Sequence, residues 1–544
     1  MRPDESVLTI RSALDRACRW FAGNTALAQG AHTLSYAQFG ARTRAIASGY
    51  RRLGLKKGDR IAFLCAASID HALAYYASHR LGAIAVNLHL REPVDAQSRL
   101  LERLEPRVLV HDAERAPLAA ELASRHRFLV RVSTGPAEDV GCASIADLGA
   151  HGDRDDDGAP PLCEDDPAII QLSSGSTGMP KALVHSHRSV LETWSGALHM
   201  WSGISPDDRF LNGFAPSFVV WLVHAGAFLA QGAGVWLQST WDPKAFLAAV
   251  QENGITCAAL TPTQWRMVLA AGPESHDLHS LRMAAYLGEK LEPDRLRELM
   301  RRVCPEFSSF YGMSECLGLG GCVVRGSEIV ARGKWGSVGH AGLNSDLRVV
   351  EVRPEGIAEM PAGETGEIVV RAASFAQGNW GDPDWQRRVL TPDGWYRTGD
   401  SGSVDADGYV YLQGRVDNQI ATGGIKVSPE EIEQVIGACD GVAAAAVFGA
   451  DDERWGQRIV ALVVRRSESL SRDDLEQWCR GGGRLASYKC PKEWHFVDAL
   501  PLTSVGKLDR KALAKAARTL AGSPEERVAQ HVGQPVARNG DERR

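Results

Sequence analysis

The chain lacks any C-x-x-C pair, although it holds eleven cysteines scattered from Cys18 to Cys490. That excludes a disulfide framework and a zinc site built on paired cysteines, and predicts reduced, mostly buried thiols. No stretch approaches about eighteen uninterrupted apolar residues, the length of a membrane-spanning helix. Met1-Arg-Pro-Asp-Glu-Ser has no apolar run of the kind an export signal needs, so neither secretion nor a membrane span is expected, and a cytoplasmic location is. An excess of one charge is also missing: Lys and Arg number 61 and Asp and Glu 67, a net charge of −6, which gives nucleic acid no basic surface to find.

At 544 residues the chain is too long for one ordinary domain, and 44% hydrophobic content supplies large cores. Helical and strand patterns alternate from Val7 to Ala85: Ile10 to Phe21 has helical spacing, Arg60 to Cys65 is a short apolar run, Ala72 to Leu81 reads as helix and Ala83 to Leu88 as strand. Such alternation predicts an α/β fold with a largely parallel sheet. Thr134 to Asp166, acidic and polar, reads as a surface loop.

One stretch stands apart. The apolar run Ala168 to Leu172 ends in Ser173-Ser174-Gly175-Ser176-Thr177-Gly178, followed by Met179, Pro180 and Lys181. Glycines let backbone N–H groups converge on an anion, hydroxyls add donors, and a lysine adds mobile positive charge. Gly175-x-x-Gly178-x-x-Lys181 is not the P-loop spacing, and Ala182 to His185 alternates like a strand where a P-loop would open a helix. The stretch instead resembles the phosphate-binding signature of the adenylate-forming enzymes, the acyl-CoA synthetases, adenylation domains and beetle luciferases.

The rest of the chain extends that resemblance from about Val7 to Leu520. Phe307 to Glu315 resembles the family's Y-G-x-T-E, here Tyr311-Gly312-Met313-Ser314-Glu315, with Ser314 keeping the hydroxyl. Glu315 there is the Mg²⁺ carboxylate, as oxygen ligands suit that ion. Gly288, Glu289 and Lys290 match the adenine-contacting turn. Tyr396-Arg-Thr-Gly-Asp400 carries the ribose-binding aspartate, whose acceptor oxygens suit a diol. Gly414-Arg415-Val-Asp417 resembles the hinge motif, with Arg415 on ribose and phosphate, Asp417 at the hinge, and Asn418 and Ala421 replacing an aspartate and a lysine common in the family. Gly423, Gly424 and Lys426 then line the CoA channel. Ser428-Pro-Glu-Glu opens a helix, and Pro501-Leu-Thr-Ser-Val-Gly-Lys507 resembles the segment whose lysine bridges carboxylate and α-phosphate.

Phe214 to His224 has no formal charge and reads as a buried helix that, by the resemblance, lines the acyl pocket with Phe218, Val219 and Trp221. Ala215 stands where amino-acid-activating members have an aspartate, which disfavours an α-amino acid because its buried ammonium would be unpaired. Val219 stands where many acyl-CoA ligases have a histidine.

The resemblance implies a large N-terminal domain (1–416) of two α/β halves plus a β subdomain, a small mobile α+β domain (417–522) and a disordered tail (523–544). It implies an ATP- and Mg²⁺-dependent ligase that adenylates an apolar carboxylic acid and passes it to CoA after the small domain turns about Asp417. A carrier-protein phosphopantetheine is the alternative acceptor, and the oligomeric state stays open, a homodimer included. A silent nucleotide sensor is the reading from another class. Glu315, Asp400 and Lys507 together argue against it.

Overall fold

In the computed structural model the described residues are 6–513 apart from 127–129, 137–140, 151–157, 174–179, 289–290, 319, 423–424, 453–454, 482–483, 504–507 and 511; side chains at 417, 421, 425, 426 and 456 are likewise outside the description. The chain forms two compact units. The first runs to Gly363 and adds Val369–Thr398 and Val404–Tyr411; the second holds Glu364–Ile368, Gly399–Ser403 and the chain from Leu412.

In the first unit the predicted alternation builds two sheets. One has eight strands in the order Gly378–Asn379, Lys181–Ser186, Pro167–Ser173, Ile84–Asn87, Arg60–Leu64, Val108–His111, Val130–Ser133 and Cys142–Ser144. It is parallel from Pro167–Ser173 outward to Cys142–Ser144, and antiparallel where Pro167–Ser173 and Lys181–Ser186 form a hairpin. The other has nine strands with a parallel centre formed by Gly234–Leu237, Arg209–Asn212, Cys257–Leu260, Met283–Leu287 and Phe307–Tyr311.

Alternation along the strands sends successive side chains into different cores. Phe63 and Phe210 enter a shared core with helices Ile69–Leu81 and Val219–Ala230, whereas Leu64 and Leu211 face separate outer cores. Helices therefore lie between the sheets and outside them. Helix Val219–Ala230 is apolar all round because it is buried on nearly every side. It starts at Val219, later than the uncharged run predicts: Pro216 disfavours helical backbone at Ala215, the chain closes as a turn with Phe218 N bonded to the Ala215 carbonyl (3.0 Å), and Phe218 is extended at the N-cap.

Thr134 to Asp166 is more than the expected surface loop. Cys142–Ser144 is an edge strand, and Ile145–Ala150 is a short helix with Ile145 and Leu148 buried on one side. Leu148 packs on Gly49, where an added Cβ would lie 2.7 Å from the leucine Cβ. Two apolar residues three apart suffice for a helix this short, and the surrounding polar residues mask them.

In the second unit Val442–Asp452 and Gly456–Arg465 form a long antiparallel pair, with Glu493–Phe496 added parallel to the latter. Helices Pro429–Gly437 and Arg472–Arg480 cover a core that includes Ile432, Ile436, Leu475 and Cys479. Ser428 occupies the N-cap position of the first helix without making the expected cap; its Oγ bonds Glu430 Oε2 (2.8 Å) instead. All eleven cysteines are free, and among the described residues no helix is long and apolar enough to cross a membrane.

Candidate active site

The hairpin that carries the phosphate-binding signature is tied down at its mouth. Its last register pair is Ser173 with Lys181. Arg103, on helix Val94–Leu104, donates from Nη1 to the Pro180 carbonyl (3.2 Å) and from Nη2 to Asn379 Oδ1 (3.1 Å), and the same Asn379 oxygen accepts from Ala182 N (2.8 Å). On the other strand, buried Gln171 donates to the Ser217 carbonyl (3.1 Å), fixing the approach to helix Val219–Ala230. Ser174, Gly175, Ser176, Thr177 and Gly178 lie outside the described residues.

Strand Phe307–Tyr311 leads through Gly312 and Met313 into a single 3₁₀ turn, Ser314–Cys316. Glu315 is buried there, 6% exposed, and its Oε1 accepts from Lys181 Nζ at 2.7 Å. The chain thus brings a carboxylate and a lysine 134 positions apart into contact. His185, on the lysine's strand, donates from Nε2 to the Ser314 carbonyl (3.1 Å). Burial pushes its imidazole down to about 4, so it is neutral at physiological pH. A carbonyl can only accept, and the proton therefore sits on Nε2.

Gly288 ends strand Met283–Leu287 with φ of +80°, making the predicted turn; Glu289 and Lys290 lie outside the described residues. At helix Val219–Ala230, Val219 faces the Glu315 turn: a Cβ added at Gly318 would lie 3.3 Å from Val219 Cγ1. Phe218 packs edge-on against His89, ring centres 5.7 Å apart. Trp221 points elsewhere. Its ring is in the core, 5.0 Å from His71 and 5.1 Å from Tyr75.

In the second unit, Asp400 lies within strand Tyr396–Val404, after Gly399 at φ +70°. Arg415 Nη1 donates to Asp400 Oδ1 at 3.0 Å. Glycine suits position 399 through its positive φ, and it leaves room for the guanidinium, which a Cβ there would approach to 2.7 Å at Arg415 Nη2. Asp417 falls in a 3₁₀ turn, Val416–Asn418, and Lys426 in strand Ile425–Val427. Gly423, Gly424 and Lys507 lie outside the described residues.

The donor set fits Mg²⁺ that arrives with a polyphosphate. Among the described residues no group of three or more His, Cys, Asp or Glu gathers as a metal cage, and Glu315 offers one hard carboxylate beside a lysine. Mg²⁺ takes few protein ligands when phosphate oxygens and water complete its shell. Sequence reading missed Arg103 and His185. Nothing in the local pattern around either residue marks its partner.

Residues 14–380 match the AMP-binding enzyme family and residues 431–507 the AMP-binding enzyme C-terminal domain. A feruloyl-CoA synthase from Amycolatopsis sp is 34% identical over 89% of this chain and 94% of its own length. An indoleacetate–CoA ligase from Aromatoleum aromaticum is 32% identical over 91% and 95%. The crystal structure of ATP-bound MatB from Rhodopseudomonas palustris shares the fold at a TM-score of 0.82, with 24% identity over 94% of this chain and 99% of that one. The motif resemblance is thereby confirmed: the chain belongs to the AMP-binding enzyme family, among its acyl-CoA synthetases, whose cofactors are ATP, Mg²⁺ and CoA.

Proposed function

We propose that this chain joins an apolar carboxylic acid, whether aromatic, alicyclic or fatty, to CoA through an acyl-adenylate. The observation that carries the substrate class is the apolar wall beside Glu315, where Val219 faces Gly318 and residues Phe214 to Val223 bear no charge. A substrate ammonium there would be unpaired, at a cost of several kcal/mol. Such a wall separates acids by only about 1–3 kcal/mol per methylene, so related apolar acids share the site.

In the first step a carboxylate oxygen attacks the α-phosphorus of ATP and the bond to pyrophosphate breaks. The Ser173 to Lys181 segment holds the β- and γ-phosphates, with Tyr311 to Ser314 shaping the nucleotide site. Gly288, Glu289 and Lys290 meet the adenine, and Asp400 with Arg415 holds the ribose. Glu315 would hold Mg²⁺, which would supply charge neutralisation on the phosphates. Lys507 offsets the charge shared by carboxylate and α-phosphate. Because two anions must meet, preorganised positive charge is the largest catalytic contribution. In the second step the CoA thiolate attacks the acyl carbonyl and AMP leaves, with Asp417 as hinge and Gly423, Gly424 and Lys426 along the thiol's path.

The test is acid-dependent pyrophosphate release over aromatic, alicyclic, fatty and amino acids, followed by addition of CoA or of a phosphopantetheine carrier. Release with apolar acids and thioester formation on CoA are expected. Release confined to amino acids, or thioester confined to the carrier, overturns the reading. Lys507→Ala separates the steps: pyrophosphate release stops while supplied acyl-adenylate is still converted to thioester, and Gly424→Leu does the reverse.

A further inference from the structure

The turn that presents Glu315 is held by its carbonyls. Leu317, which closes it, has φ of +51°, a left-handed backbone that a branched side chain adopts only against a penalty. Three successive carbonyls each accept an outside donor: Ser314 from His185 Nε2 (3.1 Å), Glu315 from Ala376 N (2.8 Å) and Cys316 from Ser374 Oγ (2.9 Å). His185 and Lys181 are four apart on one strand, so their side chains leave the same face. Leu183, between them on that face, packs against Ala376. One strand face therefore grips the turn twice, through the Glu315 carboxylate and the Ser314 carbonyl.

We infer that His185 is a positioning residue, which holds the Ser314–Cys316 turn at a fixed distance from the phosphate-binding hairpin so that Glu315 meets Mg²⁺ only in register with the polyphosphate. The role rests on the proposed adenylation and on no titration of the imidazole. Lys181 alone cannot set the register, since its flexible stem lets the carboxylate drift. The histidine acts on the backbone, where rotation about side-chain bonds has no effect.

The experiment is calorimetric titration of the full chain with ATP, once with Mg²⁺ and once with EDTA, for wild type, His185→Met and His185→Gln. His185→Met removes the donor and weakens binding of the Mg²⁺–ATP complex about tenfold, the low end for partners that orient a metal ligand, while metal-free ATP binds as in wild type. His185→Gln returns an N–H donor and restores the Mg²⁺-dependent affinity, which a packing role would not do. Should His185→Met fail to fold, Ser374→Ala makes the same test on the neighbouring carbonyl, with a loss of about threefold expected for one hydroxyl donor. Unchanged Mg²⁺–ATP affinity in the folded variants overturns the role of His185 and leaves adenylation standing. A wild type that binds ATP alike with and without Mg²⁺ overturns both.

Discussion

The two compact units hold their polar groups in different ways. In the first, Glu315 is paired with Lys181 at 2.7 Å, its side chain 8% exposed and its turn fastened on every carbonyl. In the second, Asp400 is paired with Arg415 at 3.0 Å with 22% and 46% of the two side chains exposed. Charge in water is screened, whereas a buried carboxylate feels its partner strongly and pays for losing it. The first pair is suited to holding charge in place. The second, already half in water, can exchange its arginine for a ribose at little cost.

Acid should separate the units most. Burial lowers His71, His185 and His187 to about 4 and His224 to about 3, and holds His79 well below its ordinary value, all in the first unit. The second unit has a single described histidine, His495, partly exposed and 2.7 Å from Glu493. An imidazole with a depressed folded pKa binds its proton preferentially in the unfolded chain. Stability is therefore full above about pH 6.5 and falls by about 1.4 kcal/mol per histidine per pH unit down to the folded pKa. Thermal unfolding at pH 7 and pH 5, with a probe in each unit, should show the first transition dropping well below the second. Parallel shifts would erase the contrast.

Glu315→Gln comes next. Removing the buried charge should lower pyrophosphate release by about a hundredfold to a thousandfold, the scale of losing one preorganised electrostatic contact. A loss under tenfold would put Glu315 on a par with Asp400. Asp400→Asn keeps one acceptor and stands nearer water, so its effect should be a rise of about tenfold in KM for ATP with kcat changed less, the cost of one charged hydrogen bond. A collapse of kcat instead would mean that the second pair acts in the chemistry. The smallest effect is that of salt. Raising ionic strength to about 1 M, where the screening length falls to about 3 Å, should shrink the Asp400→Asn defect by less than twofold and leave that of Glu315→Gln unchanged.

The local structure around the candidate site's motifs was legible because those motifs are short and contiguous. Ser173 to Lys181 announced a strand, an anion-holding loop and a second strand, and both strands are present. The motif ending in Glu315 runs from the end of a strand into a single turn, and the motif ending in Asp400 lies wholly within one strand. What escaped was the identity of partners. His185 looked like any inward residue of an alternating strand, and Arg103 like a charged residue near a helix end. Trp221 illustrates the limit within one helix: two positions from Val219 it turns away from the Glu315 turn, and composition could not tell those directions apart.

By itself the sequence determined the periodicities that choose helix or strand, the glycines that permit positive φ at the turn of 288 and within the strand at 399, and the uncharged run that became a buried helix. These follow from each residue's own backbone freedom and from the spacing of apolar neighbours. Only the tertiary structure decided that Lys181 meets Glu315 across 134 positions, that His185 meets Ser314 across 129, and that Val219 rather than Trp221 faces that turn. Those pairings depend on how two sheets and the helices between them close on a common core, and no local pattern encodes which side chains then come into contact.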